Sequence, residues 1–237
     1  PFDCATAVAN FGCDTPWGGL TIGEACPETC GLCDDSGDFE CNDPVCLNID
    51  NVDTDAGTLD IYMTNQAGCS YCTDPTYNNQ NHCESFGNDG SGDASWVFDS
   101  SMNESGCETL NGNWFNGEVG GFQFELLGIT VAGATAPEGY TMSTSPTTVL
   151  GFSLSGATIP AGSGVLSTVS FTGYTGGSIC FGEDTGSAGN TAISDASGGY
   201  IAAEWGDCYC ALEFDECGVC GGDGITDGAC DCDGNEE

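Results

Sequence analysis

The sequence contains no lysine, no arginine and a single histidine, His82, among 237 residues. An ordinary domain is about a quarter charged, roughly half of that basic, so the absence is a property of the protein and excludes whole classes of function. Nothing in the chain can neutralise a phosphate backbone, which removes nucleic acid as a partner. Anionic membrane surfaces are removed for the same reason. No run approaches the ~20 apolar residues of a membrane helix, which argues against direct membrane insertion. No Lys or Arg salt bridge can form within the chain. General acid–base chemistry near neutral pH is confined to His82, and the sequence offers no G-x-S-x-G nucleophile context. Carboxylate pairs of the glycosidase kind are too numerous to single out. These points read as a protein that is not an enzyme, with His82 a structural or surface residue.

The charge that is present has one sign. Thirty-seven Asp and Glu give a formal net charge of −37, which repels itself at low salt and calls for counterions. Sodium in saline water or bound calcium, which prefers carboxylate oxygens, would serve. No cofactor is required, and calcium is the one candidate. Its candidate ligands are Asp50, Asp53 and Asp55 before the first recognisable strand, and Asp223, Asp227, Asp231 and Asp233 near the end. Neither cluster has the twelve-residue EF-hand spacing, so ordinary solvated loops are the competing reading.

Eighteen cysteines cannot sit safely in a reducing compartment, and their even number suits an oxidised framework. With only His82 available, structural zinc would need cysteine ligands alone. The expected location is extracellular or at a cell surface. Pro1 is not an initiator Met, and a processed chain is expected. Cysteine density divides the sequence. Cys4, Cys13, Cys26, Cys30, Cys33, Cys41 and Cys46 crowd the start, and Cys208, Cys210, Cys217, Cys220, Cys230 and Cys232 crowd the end. Between them lie Cys69, Cys72, Cys83 and Cys107, then Cys180. The pairs Cys69/Cys72 and Cys217/Cys220 have C-x-x-C spacing, but neither opens a helix in a βαβ unit as a redox pair does, so both read as structural. Cys180 and Cys208 are the candidates for a bridge closing the central domain.

That central domain reads as antiparallel β. Leu59, Ile61 and Met63 alternate with polar residues, as do Phe122, Phe124 and Leu126. Further strands are predicted at 149–154, 165–171, 179–181 and 200–205, with Gly, Ser and Pro turns between them. No helical period is apparent there; only 5–11 and a turn at 26–30 look helical. Residues 66–117, rich in Asn, Gly, Ser and Asp, read as a long disulfide-pinned loop. It carries a glycosylation sequon at Asn103-Glu104-Ser105. It also carries Tyr71, Tyr77, Trp96 and Trp114, which could form a sugar-binding strip, although aromatic packing is the commoner use.

Three resemblances follow from particular motifs. Cys26-Pro27-Glu28-Thr29-Cys30-Gly31-Leu32-Cys33, preceded by Cys4 and Cys13, resembles the ShK-toxin-like module. That family has six cysteines where this window has five; either the sixth is lost or Cys41 or Cys46 stands in for it. The resemblance implies a compact extracellular interaction module, but the lysine its channel blockers rely on is absent. Thr58–Met63, Val119–Phe124 and Ala157–Leu166 resemble the cohesin-like and carbohydrate-binding-module-like sandwiches of secreted microbial proteins, and cohesins dock other proteins. Asp215–Gly224, DECGVCGGDG, is similar to a tandem repeat of large secreted proteins from aquatic microbes.

The expected fold is therefore all-β, an antiparallel cohesin-like β-sandwich flanked by small disulfide-rich modules. Its parts are an ShK-toxin-like module at 1–35, a linker at 36–47, a sandwich at 48–207 with a Cys-rich insertion at 66–117, and a Cys-rich, Gly/Asp-rich tail at 208–237. The expected function is a structural subunit of an extracellular filament or cell-surface assembly, with the protein itself as partner. A secreted adhesion or carbohydrate-binding module, with glycans as partner, is the alternative.

Overall fold

The computed structural model describes residues 16–17, 20–21, 41–184, 191–222, 224–225 and 232. The chain divides into two units, Pro1–Glu40 and Cys41–Glu237. In the first, β1 (Pro16–Trp17) and β2 (Leu20–Thr21) form a short antiparallel hairpin. The two helical expectations at 5–11 and 26–30 lie outside the described residues.

The second unit is a two-sheet β-sandwich, as the alternation predicts. One sheet has the order β16 (Ala203–Trp205), β3 (Val45–Asp53), β4 (Thr58–Asn65), β12 (Gly162–Thr172), β9 (Thr130–Ala134). The other runs β10 (Thr141–Thr144), β11 (Thr148–Phe152), β8 (Val119–Leu127), β14 (Ala192–Asp195), β15 (Tyr200–Ile201), with β13 (Cys180–Phe181) sharing the β14 side of β8. Every pairing is antiparallel except β16 on β3, which is parallel.

Period-two alternation puts Leu59, Ile61 and Met63 of β4 on the same inner layer as Val169 and Phe171 of β12. They meet Phe122, Phe124 and Leu126 of β8 and Ile193 of β14 in one apolar cluster. Each fully buried side chain of this size contributes roughly 1.5–3 kcal/mol. The Phe122 and Phe124 rings stack with centroids 6.0 Å apart. Phe122 also fills the space over Gly151, where an added Cβ would lie 2.2 Å from the ring. Polar side chains are buried here too, Asn65, Ser167 and Thr191. Asn65, 2 % exposed, donates its amide to the Gly117 and Pro160 carbonyls and so satisfies loop backbone that has no ladder partner.

Three expectations need correction. The first strand of the sandwich is β3, which begins within the stretch read as linker; its Val45 and Leu47 are fully buried. A run of Asn and Asp after Leu47 hides its period, and pairing with β4 overrides weak local propensity. Residues 66–117 are not a loop. They form a small subdomain with a sheet of order β6 (Trp96–Asp99), β5 (Gly68–Cys72), β7 (Asn113–Phe115) and two helices, α1 (Gln80–Gly90) and α2 (Glu104–Thr109). Both helices are polar and short, with no apolar stripe to betray them. Their signatures are caps: Asn79 Oδ1 accepts from His82 N and Asn103 Oδ1 from Gly106 N, each at 2.9 Å, which satisfies helix-end donors. Finally, Cys41 and Cys46 bond to each other, so neither stands in as the sixth cysteine for the window at 1–35.

All twelve described cysteines are paired: Cys41–Cys46, Cys69–Cys107, Cys72–Cys83, Cys180–Cys208, Cys210–Cys220 and Cys217–Cys232. Such a framework belongs to an oxidising, extracellular environment. Neither C-x-x-C pair closes on itself, and Cys180–Cys208 ties the tail to the sandwich as expected. Tyr209 extends that tie by exchanging backbone hydrogen bonds with Ile179. No helix among the described residues is long and apolar enough to cross a membrane.

Candidate binding surfaces

A cleft of about 730 Å³ opens between the small subdomain and the β14–β15 hairpin. Its floor and one wall come from β5, β6, β7 and the first turn of α1; the other wall comes from Asp195, Tyr200 and Ile201. Trp96 and Trp114 both line it, so two of the four aromatics singled out in the sequence converge. The register sets Trp96 opposite Cys72 and Ser70 opposite Asn113, all on one face of the three-stranded sheet; Trp114, opposite Cys69, belongs to the other face and reaches the cleft from its side. Tyr77 packs instead against the Cys72–Cys83 bridge and Ala94, and Tyr71 is not in the lining. Tyr200 has no counterpart in the sequence reading, because only tertiary folding brings β15 to the subdomain. Its hydroxyl donates to Asp184 Oδ2 at 3.1 Å, and Trp205 Nε1 donates to the same oxygen at 2.9 Å. Partial burial first, and the Asp184 carboxylate second, push the Tyr200 pKa up to about 12.

His82 lies exposed on α1, within hydrogen-bond distance of the Asn79 amide through Nδ1 at 3.2 Å and packed against Phe86 with ring centroids 5.9 Å apart. Both contacts are those of a helix-surface residue. Asn103 is an exposed helix cap.

Of the aspartates expected to hold calcium, Asp50 and Asp53 accept hydrogen bonds from neighbouring backbone amides. Asp50 Oδ1 accepts from Asn51 N, and Asp53 Oδ1 accepts from Asp55 N and Ala56 N, which shapes the β3–β4 turn. Asp50, Asp53 and Asp55 do not gather around a common point: among the described residues no group of three His, Cys, Asp or Glu is arranged to hold a metal ion. Asp223, Asp227, Asp231 and Asp233 lie outside the described residues. The turn at 215–224 is organised by the first residue of the DECGVCGGDG motif. Asp215 accepts from Cys217 N and Val219 N through Oδ1 and from Gly224 N through Oδ2, and the bonds from Val219 and Gly224 hold its carboxyl below the usual range. Asp43, by contrast, is raised, first by burial and then by Glu204 on β16.

A second surface lies along one side of the sandwich, where the edges β9 and β10 meet. Between Glu138 and Glu183 the sequence has no Asp, Glu, Lys, Arg or His at all. This span contains β10, β11 and β12. The β9 strand covers β12 only from Val169 to Thr172, so no described strand pairs with the outer side of Gly162–Leu166. Beside that open edge is a groove of about 320 Å³ lined by Met63, Pro137, Ile159, Val165 and Leu166 among others. Val165 is 53 % exposed, and Leu154 on the same charge-free span is 86 % exposed. The gap in the charge pattern was legible in the sequence and is the signal the sequence reading missed.

No known protein family, no curated protein sequence and no solved structure matches this chain.

Proposed function

We propose that the protein is a structural subunit of an extracellular filament or cell-surface assembly, joined to further copies through the uncharged side of the sandwich. The observation that carries this reading is the placement of charge. A chain with 37 carboxylates leaves both strands of one side, Thr141–Thr144 and Gly162–Leu166, without a charge or a proline. Natural sheet edges are ordinarily blunted by those devices, because an open edge templates strand pairing with another chain. Two copies approaching by any other side bring carboxylates together. By this side they meet through backbone hydrogen bonds and the groove around Val165, which is how strand addition works. The two open strands belong to different sheets, so β10 of one copy can pair with β12 of the next, a head-to-tail contact that propagates into a fibre when it does not close on itself.

Self-repulsion elsewhere on the molecule makes assembly dependent on ionic strength, favoured once the screening length falls to ~10 Å near 0.1 M salt. The test is electron microscopy of disulfide-intact protein at low and high salt, with calcium and then with chelator. Regular filaments or sheets are expected at high salt, and Val165→Asp disperses them while leaving the monomer's melting temperature nearly unchanged. Single particles in every condition, or assembly indifferent to Val165→Asp, would refute the reading. Loss on chelation would add calcium as a bridging ion.

A further inference from the structure

We propose that the cleft between the small subdomain and the β14–β15 hairpin binds a neutral oligosaccharide. This is independent of assembly, since the cleft adjoins β15, at the opposite end of its sheet from β10.

The chemistry of the lining selects the ligand class. At about 730 Å³ the cleft is within the ~300–1,000 Å³ range of small-ligand sites. Trp96 and Tyr200 supply aromatic surface, on which the C–H face of a pyranose ring can stack, with a polar edge left to face water. Around them stand planar amides, Gln80, Asn81 and Asn113, each able to donate and accept at once. That pairing matches vicinal hydroxyl groups. Glu84 and Asp195 add acceptors to the walls and carry the only charges there. With two carboxylates in the lining and no Lys or Arg anywhere in the chain, sulfated, phosphorylated and sialylated sugars are repelled.

The site is also held stiffly. Trp96 packs against the Cys72–Cys83 bridge, and the strand beneath it is tied to α2 by Cys69–Cys107. Walls fixed before the ligand arrives lose less freedom on binding. Disulfides so close to an open polar cleft therefore do more than hold the fold.

The experiment uses the full, disulfide-intact chain on an array of neutral and anionic glycans. Calorimetry follows with tetrasaccharides of β-1,4-linked glucose, mannose and N-acetylglucosamine, and with choline as a cationic control, because aromatic walls with nearby carboxylates also suit quaternary ammonium groups. At least one neutral saccharide is expected to bind with a dissociation constant between micromolar and millimolar, and anionic glycans are not. Trp96→Ala should abolish binding. Because Trp96 also packs on a disulfide, the exposed pair Gln80→Ala and Asn113→Ala gives a second readout: about tenfold weaker binding, the loss expected for one to two hydrogen bonds, with an unchanged melting temperature. Absence of any neutral ligand, unaltered affinity in the Gln80→Ala/Asn113→Ala protein, or a preference for choline would each overturn the proposal.

Discussion

Along β9, β10, β11 and β12 the sandwich is held by its apolar core, with no cysteine between Cys107 and Cys180 and no carboxylate between Glu138 and Glu183. Across the molecule the situation is reversed. The side that carries β16, β15 and the small subdomain holds Cys41–Cys46, Cys69–Cys107 and Cys72–Cys83, together with Asp43, Glu84, Asp195 and Glu204. A core stabilises in proportion to the area it buries, whereas a staple acts mainly by restricting the unfolded chain. The buried apolar residues described in the subdomain are Cys69, Cys72, Cys83, Ala94 and Cys107, too little apolar surface to order some fifty residues by itself. The difference teaches that two kinds of stability coexist here, one cooperative and one local.

The sharpest way to break that comparison is to damage each side separately. Phe122→Ala removes a ring that spans the core above Gly151. With no side chain on Gly151 to move into the void, the cavity cannot collapse, and the cost should reach the upper end of the ~3–5 kcal/mol seen for such truncations. Unfolding by denaturant should show the whole sandwich losing stability together. A change confined to β8 and β11 amides would contradict a single cooperative core.

Removing the Cys69–Cys107 bridge, which closes a separation of 38 residues, should cost about 4 kcal/mol by the loop-closure relation. The loss should be local. Hydrogen exchange of Cys69→Ala/Cys107→Ala is expected to deprotect β5, β6 and β7 while β4, β8 and β12 keep their protection. Simultaneous deprotection of the sandwich would show that the subdomain is part of its core after all.

The same contrast explains what the sequence could disclose. Strands of the sandwich announce themselves because one face is buried and the other wet, so Leu59–Met63 and Phe122–Leu126 carry an unmistakable period of two. The subdomain is ordered by disulfides and caps, and its helices α1 and α2 leave no apolar stripe to read. The β3 strand fell between these cases, with Val45 and Leu47 buried but Asn48, Asp50 and Asn51 beside them. Of the cleft, Trp96 and Trp114 were visible as a local cluster. Tyr200 and Asp195 were not, since no local signal says which distant hairpin will close a wall. The aspartates at 50–55 show the reverse case among the described residues, where no group of three is arranged to hold a metal ion. Proximity in sequence at 50–55 suggested a site, but Asp53 serves turn amides and Asp50 serves Asn51.

The smallest expected effect is a difference in sign with pH. Asp43 lies on the stapled side with its carboxyl raised by burial and by Glu204. A group whose folded pKa is raised stabilises fully below its unfolded value, near 3.8, and that contribution is lost as pH rises through the folded value. The seam between β3 and β16 should therefore tighten on acidification, seen as larger protection factors for the 203–205 amides, each referred to the intrinsic exchange rate at its own pH, at pH 4 than at pH 7. Asp43→Asn should raise the neutral-pH melting temperature and flatten the profile. Asp215 runs the other way. Its pKa is lowered by the amides of Val219 and Gly224, so its contribution is present above ~3.8 and disappears as pH falls through the folded value. Between pH 4 and pH 2 the turn at 215–224 should loosen while the β16 seam stays closed. Two carboxylates of one acidic chain then respond oppositely to the same titration, because one faces a second carboxylate in a half-buried seam and the other is enclosed by N–H groups. If both regions loosened together on acidification, general charge effects rather than these two local environments would govern the acid response.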